Sequence, residues 1–541
     1  MRAVPRGGAP RRSGRRRASG RRGGAEQGAV KLRELLEDTE GVGFEADPEA
    51  EVSGLAYDSR RVRRGDLFFV LPGLRSDGRT FAAQALAAGA VAVVAAREAA
   101  PEAGALVRVE APRRTLALAA ARFFGFPSRR LKVVGVTGTN GKTTTTYLME
   151  SIFRAAGIPA GLIGTTGYRL GAEWRPAPLT TPEAPELESL LREFVDRSLE
   201  GVAIELSSHA LEQQRCYGLE CDVAVFTNLS HDHLDYHGTL ERYLDAKLRL
   251  FDGRNHPRAL KRATAVVNDD DPRGPDVRRA AERGGLAVLG YGTTAGAGVT
   301  IGPITPLPRG LRFELRHEGN SVPVTLPLLG RYNAWNAAAA FGAARALGVA
   351  PALAARGLEE TTGVPGRLEP VDEGQSFEVL VDYAHTPDAL ARALQAVREH
   401  ARGRLLLVFG CGGDRDRAKR PLMGKVAAEA SDHAWVTNDN PRREAPESIA
   451  AEILAGAPPG SLGVELDRRA AIERAIERAA PGDAVLIAGK GHETTQTIGA
   501  RVLPFDDRAV ARELLRARRA PAGGGTGASR GTRDSGSGAL R

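Results

Sequence analysis

The sequence predicts an α/β protein of three domains, and three observations predict it. The chain has 541 residues, more than one hydrophobic core supports. Short apolar strands alternate with helical runs from about residue 30 to 515, the pattern of mainly parallel sheets covered on both faces. Glycine-rich or polar motifs follow those strands, where ligands sit in such sheets. The expected domains are a small α/β N-terminal domain (30–128), a central domain (129–363) and a Rossmann-like C-terminal domain (364–518).

The ends read differently. Residues 1–22 hold nine arginines and no acid, which matches the whole net charge of +9 and leaves the remainder near neutral. That arm (1–29) and the Gly/Ser-rich tail (519–541) are too low in complexity to pack a core, so both are expected to be disordered. A basic arm touches anionic partners weakly, but a nucleic-acid-binding body is not expected. Hydrophobic residues make up 42% and charged residues 26%, as in ordinary globular proteins. No apolar run is long enough to span a bilayer and no secretory h-region follows the arginines. The three cysteines, Cys216, Cys221 and Cys411, form no CxxC pair, which points to a reducing cytoplasm and away from structural zinc.

In the N-terminal domain, strands are expected at 66–71 (DLFFVL) and 90–94 (AVAVV). The central domain opens with LKVVGVTGTNGKTTTTYLMESIF (131–153), a strand, a turn and a helix, followed by strands in GVAIEL (201–206) and DVAVFTNL (222–229). The C-terminal domain shows four strands, in FEVLVDYAH, RLLLVFGC, HAWVTND and DAVLIAGKG, separated by helical runs.

The turn TGTNGKTT (137–144) has phosphate chemistry. Gly138 and Gly141 let the backbone close on an anion, and the N–H groups of Thr139, Asn140 and the helix start face it. Lys142 reaches β/γ-phosphates, Thr143 offers a hydroxyl to Mg²⁺, and Thr144 extends the cradle. The loop is tighter than G-x-x-x-x-G-K-[ST], since position 136 is Val. It makes the central domain a P-loop-type ATPase domain. Glu205 ends a buried strand, where a carboxylate needs a partner and Mg²⁺, a hard cation, would supply one. His231, His233 and His237 cluster after the next strand. Residues 438–442, NDNPR, place an arginine just past a strand end. Its plain alternative is a solvated turn.

These motifs together resemble those of the Mur ligases, the ATP-dependent amino-acid ligases of peptidoglycan synthesis. YDSR (57–60), the short loop, NLSHDHLDYHG (228–238), GRYNAWNA (330–337), GVPGRLEP (363–370), GCGGDRDRAKRPLM (410–423), NDNPR and GKGHE (489–493) stand in the family's order. The resemblance implies ATP and two Mg²⁺, with Thr143, Glu205, His233 and Lys247 as metal ligands, Lys247 through a carbamate formed with CO₂. It implies that Asn336 holds adenine, Arg367 the γ-phosphate and Asp382 the ribose. The alternatives are a helix cap for Asn336, a surface ion pair for Arg367, a turn for Asp382 and a solvated helix face for Lys247. His231 receives no role, and Leu74-Arg75-Ser76 is too variable to assign.

On the substrate side the resemblance gives Ser59, Thr180, Thr181, Ser207, Gln213 and Arg215 to a UDP-muramoyl-dipeptide. It gives Arg415, Asp439, Asn440, Pro441, Arg442, Gly489 and Glu493 to the incoming amino acid, with Glu493 facing an ammonium group. DNPR goes with meso-diaminopimelate, because arginine's planar fork suits its extra carboxylate. The implied reaction is γ-phosphorylation of the dipeptide's D-Glu carboxylate by ATP, then attack by an amine, in a cytoplasmic enzyme expected to be monomeric, with small-molecule substrates and no membrane partner. Ligation of L-lysine, a basic P-loop NTPase acting on nucleic acid, and a non-catalytic muropeptide sensor are the competing readings.

Overall fold

The structure, a computed structural model, describes residues 28–71, 78–99, 104–256, 259–294 and 296–519. The expected arms lie outside these residues save for positions 28, 29 and 519, as does the 74–76 stretch.

Each of three sheets carries one domain. In the first, Gly54–Ala56, Asp66–Phe69, Ala92–Ala96 and Leu106–Val109 run parallel, and Gly43–Phe44 pairs antiparallel at the edge. Alternate residues serve opposite faces: Leu67, Phe69, Ala92 and Val94 pack with the helix Pro112–Phe123, while Phe68, Val93 and Ala95 pack with Ala82–Ala87. Both faces are covered, which is why these strands read as unbroken apolar runs. The second strand begins two residues later than expected. Gly89 turns left-handed (φ 102°) and the Ala90 N–H closes back on the Ala85 carbonyl, so Ala90 still belongs to the helix end.

The central sheet has twelve strands. Its parallel part runs, in spatial order, Ala160–Gly164, Gly201–Glu205, Lys132–Thr137, Val223–Phe226, Thr264–Asn268, Ala287–Gly292 and Val299–Ile301. The helices Lys142–Ala155, Tyr332–Ala346 and Pro351–Glu359 pack on one face, where Ala337, Ala338, Ala339 and Ala340 are fully buried. Antiparallel strands extend both edges: the hairpin Gly167–Leu170/Glu173–Arg175 at one, and Thr305–Leu307, Gly310–His317 and Asn320–Leu326 at the other. The sheet is thus mainly parallel, as expected, with antiparallel strands added at its edges. Tight turns at Gly171 (φ 63°) and Gly319 (φ 76°) reverse the chain locally where a crossover helix would be needed to keep it parallel.

The third sheet has the order Glu369–Pro370, Glu378–Asp382, Ala484–Ala488, Leu405–Phe409, His433–Val436, Gly463–Val464, all parallel but the first. Helices cover both faces. The four expected strands form its centre, and two short edge strands are added. A hairpin, Thr495–Ile498/Arg501–Pro504, stands beside it.

Polar contacts join the domains. Tyr57 and Arg61 reach Glu186, and Arg113 reaches Glu183, across the first boundary. Across the second, Asn140 donates to Asp388 (3.1 Å), Arg331 pairs with Glu399 (3.1 Å) and His231 lies 3.5 Å from Asp416.

Candidate active site

The strand Lys132–Thr137 ends in a loop that only glycine permits. Gly138 has φ 146°, and a Cβ there would lie 1.9 Å from Thr227 Oγ1; Gly141, at φ 89°, would put one 2.3 Å from Asn336 Oδ1. Two distant elements are thereby pressed against the loop. Asn228 fixes its outer side, accepting from the Thr139 and Asn140 N–H groups. The helix starts at Lys142, whose Nζ donates to the Gly138 and Thr139 carbonyls at 2.9 and 2.8 Å. Thr143 Oγ1 donates to Glu205 (3.1 Å) and accepts from Arg367 Nη2 (3.1 Å). Glu205 is 1% exposed and also takes the Thr165 N–H and hydroxyl at 2.9 and 3.0 Å, so its burial is compensated by three donors.

Lys247 is 1% exposed, and the solvated-helix alternative fails. Its Nζ donates to the Gly138 carbonyl (2.8 Å) and lies 4.1 Å from the centroid of the Tyr243 ring. Burial, with Lys142 nearby, holds its pKa well below the usual lysine value. His233 heads the helical turn Leu234–His237 at φ 54°, beside Asp232 and edge-on to His209 and Tyr243. Burial pushes its pKa down to about 4. His231 is exposed and faces Asp416.

Asn336 lies within the helix Tyr332–Ala346, whose cap is Arg331, so the helix-cap alternative also fails. It is 6% exposed and donates to Asn333. Among the described residues Arg367 makes no surface ion pair: besides reaching Thr143, its guanidinium stacks 4.8 Å from the Tyr383 centroid. Asp382 accepts the Leu368 and Ala384 N–H groups, both at 2.7 Å, and so pins the linker that carries Arg367. Burial raises its pKa.

A cleft of about 790 Å³ between the central and C-terminal domains is lined by Thr139, Asn140, Gly141, Lys142, Thr143, Thr144, Glu205, His233, Lys247, Asn336, Arg367 and Asp382, with Thr180 and Ser207 at its substrate side. Thr181 is fully buried behind them, donating to the Glu205 carbonyl (2.7 Å) and accepting from the Ser207 N–H (3.0 Å). Arg215 ties Gln213 Oε1 to Glu183 and Gln213 donates to Tyr236, so both are positioned as one cluster. Ser59 sits away from the cleft in the first domain, donating to Gln84 (3.1 Å).

The strand His433–Val436 delivers Asp439 and Asn440, both buried, and then Pro441 and Arg442. Arg442 has φ 52° and is locked by the hairpin: its N–H donates to the Thr497 carbonyl (3.1 Å) and its own carbonyl accepts from Gly499 (2.6 Å). Its guanidinium donates only to carbonyls, of Gly413 (2.8 Å) and Asn440 (3.5 Å); among the described residues no carboxylate pairs with it. A Cβ on Gly412 would come within 2.9 Å of that guanidinium and 3.7 Å of Arg415 Cγ, so the exposed Arg415 flanks the same glycine. Asn440 donates to Glu493 (2.9 Å), and Gly489, at φ 114°, turns the chain beside Asp439. Glu493 does face an ammonium, but one of this chain: the fully buried Lys490, at 3.0 Å.

Five of the eight non-glycine residues with left-handed φ among those described, Gln214, His233, Leu368, Asp414 and Arg442, are expected site residues or adjoin one. Such strain persists where surrounding structure over-determines it, as at binding sites.

Three family models match this chain, and two of the matched segments contain the cleft residues. Residues 136–344 match the Mur ligase middle domain, 366–491 the Mur ligase glutamate ligase domain, and 51–130 the Mur ligase family catalytic domain. Among similar proteins, the UDP-N-acetylmuramoyl-L-alanyl-D-glutamate--2,6-diaminopimelate ligase of Solibacter usitatus is 48% identical over 86% of this chain and 94% of its own. That of Syntrophomonas wolfei is 44% identical over 90% of this chain and 99% of its own. The chain belongs to the Mur ligase family. A solved structure of a ligase with that same name is 34% identical and superposes with a TM-score of 0.66, covering 91% of this chain and 99% of the other.

In this Mur ligase the motifs hid some cleft residues that the fold reveals. His385, the last residue of the quoted FEVLVDYAH, and Asp388 line the cleft beside Asp382, and only their place at the end of an expected strand signals them. Lys490, inside the quoted GKGHE, was legible as a lysine, but its burial was not. No helix among the described residues is long and apolar enough to cross a membrane.

Proposed function

We propose that this Mur ligase joins meso-2,6-diaminopimelate to the D-Glu γ-carboxyl of UDP-N-acetylmuramoyl-L-alanyl-D-glutamate, forming ADP and phosphate, as a cytoplasmic monomer. The observation that carries the choice of amino acid is Arg442, a guanidinium fixed at a strand end with carbonyl partners only, in a chain similar to ligases named for diaminopimelate. A second carboxylate on the amino acid completes it.

The chemistry follows from the cradle. A carboxylate is a poor electrophile until its oxygen becomes a leaving group. ATP supplies a phosphoryl group to the γ-carboxylate, and the resulting acyl phosphate is attacked by the amine. Lys142 now rests on the Gly138 and Thr139 carbonyls, within one loop of where the phosphates would lie, and exchanges these partners for phosphate oxygens. Arg367 adds a second cation from the linker. Asn336 and Asp382 stand at the adenine and ribose ends. Thr180, Thr181, Ser207, Gln213 and Arg215 hold the dipeptide, and Ser59 the uridine end.

The residues fit Mg²⁺. Thr143 Oγ1 and Glu205 meet at 3.1 Å in the cleft lining, a set of oxygen donors of the kind that Mg²⁺ takes beside waters and substrate phosphates. Thr143 and Glu205 would hold one ion; His233 and the carbamate of Lys247 would hold another. Mg²⁺ neutralises charge on the transferred phosphate when bound. A buried lysine pointed at the loop offers an amine to CO₂ and, once carbamylated, oxygens to a cation.

The direct test is ADP formation with UDP-muramoyl-dipeptide and a panel of amino acids. Release of ADP and tripeptide that requires all three substrates, with diaminopimelate the accepted amine, supports the reading. Equal turnover without the dipeptide contradicts it.

A further inference from the structure

The ligation just proposed leaves one proton unassigned. An amino acid arrives as an α-ammonium, which has no lone pair, so a base must act between the phosphate cradle and the amino-acid pocket. Most candidate bases in that region are already engaged. Glu205 accepts three hydrogen bonds, Asp382 takes two backbone N–H groups, Asp388 takes Asn140 and Arg392, and Glu493 takes Lys490 and Asn440.

His385 is different. It follows the strand Glu378–Asp382 and precedes Thr386, the cap of the helix Pro387–Arg398. Its Nδ1 lies 2.8 Å from the Tyr383 carbonyl oxygen. A carbonyl only accepts, so Nδ1 carries the hydrogen, and in the neutral ring Nε2 keeps its lone pair. The ring packs on Tyr383, with centroids 4.7 Å apart, and lines the cleft. Its charged neighbours come from both sides: Asp232 from the phosphate side, Asp439 from the amino-acid pocket, and Lys419 at the start of the helix Lys419–Ala430. Burial and Lys419 hold its pKa below the ordinary histidine value, which keeps it neutral before reaction. His492, whose Nδ1 is buried without a partner, does not line the cleft.

We propose that His385 is the base that takes a proton from the incoming α-ammonium, an inference that rests on the ligase reading above. The proton moves from nitrogen to Nε2. The freed lone pair forms the N–C bond, the C–O bond to phosphate breaks with its electrons leaving on phosphate, and the departing phosphate takes the second proton that the nitrogen sheds as it becomes an amide. Asp232 and Asp439 favour the imidazolium, which returns its proton to solvent through the cleft. Such catalysis contributes about 10²–10⁴-fold.

Hydroxylamine tests this, because it is largely unprotonated at neutral pH and attacks an acyl phosphate without a base. The full-length enzyme is assayed with ATP and UDP-muramoyl-dipeptide, with either diaminopimelate or hydroxylamine as acceptor. His385→Ala removes the ring, and His385→Asn keeps a donor for the Tyr383 carbonyl. In both, the ratio of tripeptide to hydroxamate is expected to fall by about 100-fold or more. An unchanged ratio in His385→Asn overturns the proposal, whether both products persist or both are lost together. Absence of hydroxamate with the wild-type enzyme would instead remove the acyl-phosphate reading itself.

Discussion

At the phosphate end of the cleft, a regular helix starts at Lys142 and the polar groups are already closed on one another: Lys142 and Lys247 on loop carbonyls, Thr143 on Glu205, Arg367 on Thr143. At the amino-acid end, the chain passes through left-handed Asp414 and Arg442, and Arg442 depends on a hairpin more than fifty residues away in sequence. Its neighbour shows the contrast within two residues. Arg443 is 74% exposed and paired with Asp414 at 2.9 Å, whereas Arg442 is half-buried with no carboxylate. Local backbone rules build the first end, and long-range contacts build the second. On the proposed function the first end would hold ATP and the second would select the amino acid.

If the phosphate end is a pre-closed cradle, Lys142→Ala has the largest effect: ADP release is abolished while UDP-muramoyl-dipeptide still binds by calorimetry. Near wild-type turnover would end the assignment. Lys247→Arg comes next. Intact-mass analysis should show one CO₂ on Lys247 in the native enzyme, and the arginine variant, which forms no carbamate, should lose about 100-fold or more in kcat. Full activity would leave Lys247 as a packing residue.

On the helix Ala184–Asp196, which packs on Pro112–Phe123, Glu188 contrasts with the paired polar groups of the cleft. It is 3% exposed, its Oε2 has no partner, and burial raises its pKa to about 8. The native state therefore holds this proton after the unfolded chain has released it near the ordinary glutamate pKa. Stability is fully present below that value and is lost as pH rises through about 8. Glu188→Gln should flatten the fall in Tm between mildly acidic and mildly alkaline buffer, by on the order of a few kcal/mol in stability. An unchanged slope would mean the carboxyl finds water. Arg443→Ala should do least: solvent screens an exposed pair, so KM for the amino acid should stay within about twofold. A large rise would erase the distinction between the two arginines.

The same contrast explains what was legible in the sequence. Gly138, Gly141 and Lys142 announce their geometry because a tight turn before a helix has few solutions. The edges of the central sheet were missed because alternating strands such as Gly310–His317 obey hairpin turns, which an expectation of crossover helices overlooks. The burial of Lys247 is invisible in LERYLDAKLRLF, since a helix period does not say what packs against it; only the family resemblance singled it out. His385 stayed hidden for a related reason. A histidine after a strand is unremarkable until Asp232 and Asp439 are brought to it from two domains.

The central claim is that Arg442 reads the far carboxylate of the amino acid, and catalytic efficiency with diaminopimelate against L-lysine tests it most directly. The account predicts a preference for meso-diaminopimelate on the order of 10⁴-fold, because lysine leaves the guanidinium without its partner. That preference should collapse in Arg442→Ala, chiefly through a higher KM for diaminopimelate. Equal kcat/KM for the two amino acids in the native enzyme would contradict it.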